Sequence, residues 1–209
     1  MTLNLDSFFP KPDSPCIYLA DNNGPDGCAI FFKESKLDLL RKARRVLHVW
    51  EVPSNQVVLA MVFRIKYTGA EVCVASTHFK AKFGPLRASF RNEQSKDILK
   101  WLKVIQGGRP VIMGGDFNGE PWETFYVTLT EDRHHPLVSA YQELPEFTSW
   151  KVREGGEEKH HLDYIFHSTS AKTVATLKVP SVEEMGDQRM PSLQFPSDHM
   201  SLVADIQIS

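Results

Sequence analysis

Hydrophobic residues in this chain cluster in short runs that are separated by turn-forming residues. In the first 80 residues, four runs rich in β-branched and aromatic side chains predict strands at residues 28–32, 46–50, 56–65 and 72–78. Tyr67-Thr68-Gly69-Ala70 separates the last two runs and is typical of a hairpin turn. We therefore predict that these two strands form an antiparallel pair.

A helical spacing replaces this pattern at residues 86–106. Phe90, Gln94 and Ile98 recur there on one face of a helix, and Gly107 ends the periodic stretch. Pro110 then opens an apolar run that predicts a buried strand. A strand, a helix and a second strand in this order favour a parallel crossover, which brings the carboxyl ends of both strands to one edge of a sheet.

The rest of the chain predicts a helix, two further strands and several connections. Pro121 suits the first turn of a helix that runs to about Leu129. Apolar runs predict strands at residues 162–166 and 197–206, and residues 141–150 are expected to be irregular with a short strand. Proline and turn-forming residues predict a surface connection at residues 1–27, a charged loop at 151–159 and a long loop at 182–196. This alternation of elements indicates an α/β fold.

Composition limits the kind of molecule. The chain has 209 residues, of which 42% are hydrophobic and 24% charged, as expected for a single globular domain. A net charge of −2 argues against overall attraction to nucleic acid or anionic membranes, so phosphate binding would need a local cluster of basic residues. No run approaches the roughly 18 apolar residues of a membrane span.

Targeting and redox features favour the cytoplasm. The first residues have neither the basic region nor the apolar core of a secretory signal. Cys16, Cys28 and Cys73 are widely spaced and odd in number, which is typical of a reducing compartment. A mitochondrial or nuclear location is the alternative if a targeting segment precedes this sequence.

Acids, an amide and imidazoles stand at the ends of four predicted strands. Asp116 and Asn118 follow the central strand two residues apart, so extended backbone would direct both side chains to one face. The other candidates are His78, Asp163, Asp198 and His199. Each residue alone has an ordinary explanation, such as a turn, a buried acid with a backbone partner or a core histidine.

Taken together, these residues indicate metal-assisted chemistry on a phosphate. Carboxylate and amide oxygens without cysteine are the ligands that Mg²⁺ prefers, and Mg²⁺ is usually shared with a substrate phosphate. A histidine oriented by a buried carboxylate can contact a phosphate or act as a general base. The sequence therefore predicts hydrolysis of a phosphate ester, in which Asp116 orients or deprotonates water.

Basic and aromatic residues occur near these candidates. The basic ones are Lys80, Lys82, Arg87, Arg91, Lys151 and Arg153. Phe83, Phe90 and Trp150 could stack a base, although core packing explains Phe90 more simply. The alternative is that the charges only solvate a helix face and ordinary loops.

Five ordered motifs resemble those of the endonuclease/exonuclease/phosphatase superfamily. They are Thr77-His78-Phe79-Lys80-Ala81-Lys82, Arg91-Asn92-Glu93-Gln94, Gly115-Asp116-Phe117-Asn118, His161-Leu162-Asp163-Tyr164-Ile165 and Ser197-Asp198-His199. Residues 22–29 and 148–153 make the chain most similar to the nocturnin-like branch, which is related to the carbon-catabolite-repression deadenylases. The resemblance covers nearly the whole chain, and it is weakest at residues 82–89.

This resemblance implies a DNase I-like fold, namely a four-layer α/β sandwich of two mostly antiparallel or mixed sheets flanked by helices. It also implies Mg²⁺ dependence and hydrolysis of either the 2′-phosphate of NADP(H) or the 3′ poly(A) end of RNA. The roles that it implies are water orientation by Asp116, phosphate contact by Asn118 and His78, positioning of His199 by Asp163, and metal binding by Asp198 with Asp116. Substrate contact is implied for Lys80, Arg91, Lys151, Arg153 and Asn118.

The chain departs from the family pattern at its start. The family begins with a strand bearing an asparagine and a second strand bearing Gln-Glu, whose glutamate is the principal metal ligand. The first 27 residues contain no Gln-Glu, and Gln142-Glu143 lies in an irregular stretch. We therefore expect a monomeric single domain, 1–209, that lacks its first strands. The alternative function is a fragment that binds nucleotide, RNA or a protein partner without turnover.

Overall fold

The computed structural model describes residues 16–20, 27–186 and 189–208. The strands are β1 Cys16–Ala20, β2 Gly27–Phe31, β3 Leu37–Val49, β4 Val52–Ile65, β5 Glu71–His78, β6 Val111–Asp116, β7 Leu137–Ser139, β8 Ser149–Arg153, β9 Gly156–His160, β10 Asp163–Ser168, β11 Ala171–Thr176 and β12 Ala204–Ile208. The helices are α1 Pro85–Gln106, α2 Thr124–Thr130 and α3 Val182–Met185.

Six strands form the central sheet in the order β3-β4-β5-β6-β10-β7. Only β5 and β6 pair in parallel, because α1 carries the chain back across the sheet between them, and the other pairs are antiparallel. The predicted crossover and the predicted hairpin before it are both confirmed. Three strands, β5, β6 and β10, consequently meet at the edge where β5 and β6 end.

Both faces of the sheet are covered, which explains the continuous apolar run in β4. Val58, Ala60 and Val62 of β4 belong to a core shared with α1 and α2. The intervening Leu59 and Met61 belong to a second core shared with β2. Successive side chains of a strand point to opposite faces, so the run alternates between two cores and is buried throughout.

A second layer lies on the face opposite the helices. In the described ranges it consists of two antiparallel pairs, β1 with β2 and β11 with β12. Ile30 of β2 and Ile206 and Ile208 of β12 pack towards the central sheet. The predicted mixed α/β class is confirmed.

Several local predictions differ from the structure. One difference is that the short helix α3 lies within the loop predicted at 182–196. Within the predicted surface connection 1–27, β1 forms a strand, and residues 1–15 and 21–26 lie outside the described ranges. Residues 149–160 form the β8–β9 hairpin where a charged loop was expected at 151–159. The last strand begins at Ala204 and α2 begins at Thr124, both later than predicted.

Strand β3 is much longer than the predicted residues 46–50. Much of the added length is polar or charged, so it lacks the apolar pattern that predicts a strand. The strand runs along the edge of the sheet, and most of its residues from 38 to 44 are exposed. Charged side chains on an edge strand discourage pairing with other chains, and they also remove the apolar alternation that marks a strand in a sequence. None of the helices described here is long and apolar enough to cross a bilayer.

Candidate active site

Three neighbouring strands bring the predicted residues together. His78 at the end of β5 is the register partner of Asp116 at the end of β6, and Asp116 is the register partner of Asp163 at the start of β10. Adjacent strands lie about 4.8 Å apart, so the side chains of the three residues can meet. The expected convergence of His78, Asp116 and Asp163 is therefore present.

The turn after β6 fixes Asp116 and Asn118. The backbone amide of Asn118 donates to Asp116 Oδ1 at 2.8 Å, which is an Asx turn, and Asn118 adopts a left-handed φ of 50° that asparagine tolerates. Its side-chain amide donates to the Phe79 carbonyl at 3.0 Å, and the Phe79 amide donates to the Asp116 carbonyl at 2.9 Å. Asn118 is thus buried against the end of β5 and its amide plane is held in place.

Asp163 and His199 form a second unit of the site. His199 Nδ1 lies 2.8 Å from Asp163 Oδ2, and Thr148 Oγ1 donates to the same carboxylate oxygen at 2.8 Å. A carboxylate only accepts hydrogen bonds, so Nδ1 carries the proton of this bond and Nε2 is directed elsewhere. The predicted orientation of His199 by Asp163 is present in the structure.

Thr148 and Ser149 hold this unit, and the sequence did not single them out. Thr148 is fully buried, and its hydroxyl oxygen accepts hydrogen bonds from the backbone amides of Leu162 and Asp163, both at 2.9 Å. Ser149 forms an isolated bridge with His199, and its Oγ lies 3.4 Å from His199 Nε2. Both residues belong to the 148–153 motif that carries the family resemblance, and this was the signal in the sequence that could have marked them as site residues.

A metal could be bound where these units meet. Asp116, Asp163 and His199 each offer a ligand atom, and these atoms lie within 4.8 Å of one another. The electrostatics also favour a cation. Burial and the nearby charge of Asp163 raise the pKa of Asp116, despite the opposing charges of His78 and His199. A bound cation would relieve both effects.

His199 has a shifted pKa as well. Burial lowers it, but the hydrogen bond to Asp163 and the charges of Asp163 and Asp116 outweigh burial, so the pKa lies above its usual value. The net shift favours the charged imidazolium relative to a free histidine. In that form Nε2 donates a hydrogen bond and can meet an anionic oxygen.

Asp198 lies beside this group rather than within it. Its carboxylate lies 3.7 Å from Lys151 Nζ, and 46% of its side chain is exposed. The ligand atoms that the structure brings within 4.8 Å of one another belong to Asp116, Asp163 and His199, so metal binding by Asp198 stays a prediction. The segment before β12 is not a strand, so the residues at 198 and 199 do not follow strand alternation.

Arg91 is wrongly predicted as a substrate contact. Its side chain is fully buried and forms a bidentate salt bridge with Glu123, in which Arg91 Nη2 lies 2.7 Å from Glu123 Oε2. Its Nη1 also donates to the carbonyls of Lys80 and Lys82 at 3.0 and 2.8 Å. Arg91 therefore organises the loop between β5 and α1.

The other predicted substrate contacts have different outcomes. Lys80 is half-buried, and its backbone amide donates a hydrogen bond to Gln94 Oε1 at 3.0 Å. It follows His78, a candidate for phosphate contact, by two residues. Lys151 forms an ion pair with Asp198, which lies beside the group of possible metal ligands. The side chain of Arg153 lies outside the described part of the structure.

Two of the three candidate stacking residues are exposed or partly exposed. Trp150 is only 3% exposed and packs edge to face on Phe147, so it belongs to the core. Phe83 is 48% exposed and lies over the His160 ring with 4.3 Å between centroids. Phe90 is half-buried and contacts Trp50.

A cavity opens beside the site, between the central sheet and the second layer. It has a volume of about 250 Å³ and reaches Asp116, Asp163 and His199. Small or apolar residues form most of its remaining lining, including Ala29, Gly114, Ile165 and Leu202. The polar groups of the site therefore lie at the border of an apolar space.

The sequence profile of the endonuclease/exonuclease/phosphatase family matches residues 2–199. The chain belongs to this family. It is 42% identical to nocturnin of Drosophila melanogaster over 227 aligned residues, covering 96% of this chain and 35% of that protein. It is 41% identical to human nocturnin over 212 residues, covering 97% of this chain and 49% of that protein.

The fold agrees with this family. The structure of the human nocturnin catalytic domain with bound sulfate superimposes with a TM-score of 0.79 and 31% identity, covering 94% of this chain and 72% of that chain. The predicted DNase I-like, nocturnin-like fold is confirmed. The chain spans about half the length, or less, of the full-length relatives that it matches.

Proposed function

We propose that this chain is a metal-dependent phosphoesterase of the nocturnin type, acting on a nucleotide phosphate. The observation that carries the proposal is the convergence of Asp116, Asp163 and His199 within 4.8 Å. His78 joins them, with Nε2 3.6 Å from Asp116 Oδ2. Two acids and two imidazoles around one point are suited to binding a phosphate and activating water beside it.

The residues present fit a magnesium ion, because carboxylate oxygens are its preferred protein ligands and one or two suffice. Asp116 and Asp163 would hold it, with His199 at the border of the site. When bound, Mg²⁺ offsets negative charge on the phosphoryl oxygens. Asp198 lies 3.7 Å from Lys151 Nζ, and we propose that it contacts ordered water or substrate.

The side chains then divide the remaining work. Asp116 orients the attacking water and accepts its proton. His199, protonated and held by Asp163, donates through Nε2 to a phosphoryl oxygen. His78 is 52% exposed on the opposite side of Asp116 and meets the phosphate from there, and Asn118 contacts it with its amide.

The substrate is the 2′-phosphate of NADP(H) or the 3′ poly(A) end of RNA. The similar structure of the human nocturnin catalytic domain was determined with a bound sulfate, which resembles a phosphate group in shape and charge. Lys80 and Lys151 flank the site and would bind further substrate charge. Arg153 is proposed with them from the resemblance.

The test measures phosphate release from NADP⁺ and shortening of an oligoadenylate, each with Mg²⁺ and with EDTA. We expect Mg²⁺-dependent turnover of at least one substrate. We expect Asp116→Asn and His199→Ala each to lower that turnover by about 10²–10⁴-fold, the usual contribution of general acid–base groups. Asp38→Asn, an exposed acid paired with Lys66 far from the site, is the control and should retain full turnover. Turnover that survives in either site variant would refute the roles assigned here.

The second candidate function is nucleotide binding without turnover. The observation that favours it is that His199 and Thr148 already share Asp163 Oδ2, which leaves Asp163 only its other carboxylate oxygen for a metal. The resemblance expects a further glutamate at the metal. Nucleotide binding that is unaffected by Mg²⁺, together with no phosphate release, would favour this second function over hydrolysis.

A further inference from the structure

A second cavity lies at the end of the central sheet opposite the candidate active site. It has a volume of about 210 Å³. Four parts of the chain surround it, namely the last turns of α1, the start of β6, the segment before β7 and the turn after β10. We call it the distal cavity.

The distal cavity and the active site occupy opposite ends of the same two strands. Val111 begins β6 and lines the cavity, whereas Asp116 ends β6 at the active site. Ser168 ends β10 and lines the cavity, whereas Asp163 begins β10 at the active site. A strand rises about 3.3 Å per residue, so the length of β6 separates the two places by about 17 Å. The cavity is therefore distinct from the place proposed for hydrolysis.

The titratable side chains that line the distal cavity are all basic. They are Lys103, Arg109, His134 and His135, and the described lining contains no aspartate or glutamate. The whole chain has a net charge of −2, so its composition does not account for this local excess of basic groups. A concave surface with basic groups of this kind attracts anions.

Little of the positive charge is neutralised by neighbouring acids. No salt bridge among the described residues involves Lys103. Glu71 pairs with Arg109 at 2.6 Å, but it also pairs with Arg64 at 2.8 Å. One carboxylate is thus shared by two guanidinium groups, which leaves one positive charge in excess beside the cavity.

The two histidines are held by a turn of the backbone. Asp132 Oδ1 accepts hydrogen bonds from the backbone amides of His134 and His135 at 3.0 and 2.7 Å, and Asp132 itself does not line the cavity. The Nε2 atom of His135 is buried and has no hydrogen-bond partner among the described residues. A buried polar atom without a partner costs free energy. When Nε2 carries a proton, an anionic oxygen can serve as its partner.

The rest of the lining combines hydroxyl groups with apolar side chains. The hydroxyl oxygens of Ser168 and Ser170 lie 3.1 Å apart in the turn after β10. Leu102, Val111 and Leu137 are only 3–4% exposed and form an apolar part of the lining. Pockets for drug-sized ligands measure roughly 300–1,000 Å³, so this cavity suits a smaller molecule. A phosphate group that carries a few carbon atoms matches both parts.

We propose that the distal cavity binds a small phosphate monoester. Guanidinium, ammonium and imidazolium groups form charge-assisted hydrogen bonds with phosphate oxygens. Here they come from α1, from the connection to β6 and from the segment before β7, so they approach from several sides. A carboxylate has only two oxygens and would use fewer of these donors. The proposal does not depend on hydrolysis at Asp116.

The test is isothermal titration calorimetry with glycerol 3-phosphate, in EDTA and in a buffer free of phosphate and sulfate. In EDTA the carboxylates of Asp116 and Asp163 repel an anion from the active site, so the heat reports on the distal cavity. We expect saturable binding of one equivalent. His199→Ala, which alters only the active site, should bind the ester with unchanged affinity.

Two substitutions of Lys103 test the charge of the cavity. Lys103→Gln should lower the affinity about tenfold, because it removes a charge-assisted hydrogen bond, and Lys103→Glu should abolish binding. Lys103 is exposed, so both variants should fold. Lys42→Gln is the matched control, because Lys42 is an exposed lysine on β3 that does not line the cavity.

Three results would overturn the proposal. Equal affinity of Lys103→Glu and the unaltered chain would show that the ester does not bind in the distal cavity. Loss of binding in His199→Ala would place the ester at the active site instead. Acetate that binds as tightly as glycerol 3-phosphate would show that the cavity does not select a phosphate group.

Discussion

Arg87 and Arg91 are both basic and one turn apart on α1, yet only one of them is a surface residue. Arg87 is half-buried and extends over the Phe90 ring. Arg91 is fully buried against Glu123 and two loop carbonyls. A buried guanidinium needs such partners, because removing it from water costs several kcal/mol.

We expect Arg91→Gln to lower the free energy of unfolding by about 3–5 kcal/mol, since it leaves the partly buried Glu123 without its charge partner. Arg87→Gln is the matched control and should change stability by less than about 0.5 kcal/mol. Urea denaturation followed by circular dichroism measures both values. An Arg91 variant as stable as the Arg87 variant would show that the buried pair contributes little.

Gly115 is the second residue whose role depends on its neighbours. A Cβ at this position would lie 1.9 Å from the Thr77 carbonyl oxygen on the adjacent strand, and φ is +156°. The clash is with backbone, so no side-chain rotation can relieve it. The close approach of β5 and β6 at the site therefore requires glycine here.

Gly115→Ala should cost about 3 kcal/mol of stability, at the upper end of overpacking effects, and should also displace Asp116. Gly69→Ala is the comparison, because a Cβ at Gly69 meets no atom within 4 Å, although φ is +76° there. Thermal unfolding of the two variants would separate the clash from ordinary backbone strain. A larger loss for Gly69→Ala would contradict this explanation.

At the scale of elements, Asp97 joins α1 to the edge strand β3. It accepts from Arg45 Nε and Nη2 at 2.9 and 2.7 Å and from the His48 amide at 3.0 Å. Burial raises the pKa of Asp97, but these hydrogen bonds and the charge of Arg45 outweigh burial, so the pKa lies below its usual value. The ionised carboxylate therefore stabilises the contact between the helix and the strand.

The pH dependence follows from that direction. A carboxylate whose pKa is lower in the folded state contributes its full stability above the unfolded pKa of about 3.9, and the contribution is lost as pH falls through the folded pKa. Asp97→Asn should reduce the free energy of unfolding by about 1–3 kcal/mol at pH 7, with a smaller difference at pH 3. Urea denaturation at the two pH values measures this. Asp38→Asn, which removes an exposed pair, should show little effect at either pH. A loss for Asp97→Asn that is equally large at pH 3 would contradict an ionic origin.

At the scale of the whole molecule, the site exists only because distant segments of chain are folded together. His78, Asp116, Asp163 and His199 come from the ends of β5, β6 and β10 and from the segment before β12. A cation bound among them would stabilise the folded state, because the unfolded chain does not bring these groups together. Metal binding should therefore be visible as stability, independently of turnover.

We expect about 10 mM MgCl₂ to raise the unfolding temperature relative to EDTA, by an amount that follows RT ln(1 + [Mg²⁺]/Kd). Asp116→Asn should remove the increase, and Asp38→Asn should retain it. Differential scanning fluorimetry measures the shift. An increase of equal size in the Asp116 variant would show that Mg²⁺ acts elsewhere on the chain.

The core strands, α1 and the meeting of His78 with Asp116 were predictable from sequence. Their signals are local: apolar alternation marks β4 and β5, helical spacing marks α1, and the crossover rule orders β5 and β6. Polar elements were not predictable in this way. Strand β3 and the β8–β9 hairpin are stabilised by pairing rather than by apolar faces, so their composition resembles that of loops.

The sequence by itself determined the fold class and the residues capable of phosphate chemistry, because apolar periodicity and residue type are properties of the chain alone. The tertiary structure decided which of those residues act together. Burial turned Arg91 from a substrate contact into a structural ion pair, and the position of Thr148 fixed Asp163 against His199. Burial and hydrogen-bond partners depend on segments far apart in the chain, so no local pattern could specify them.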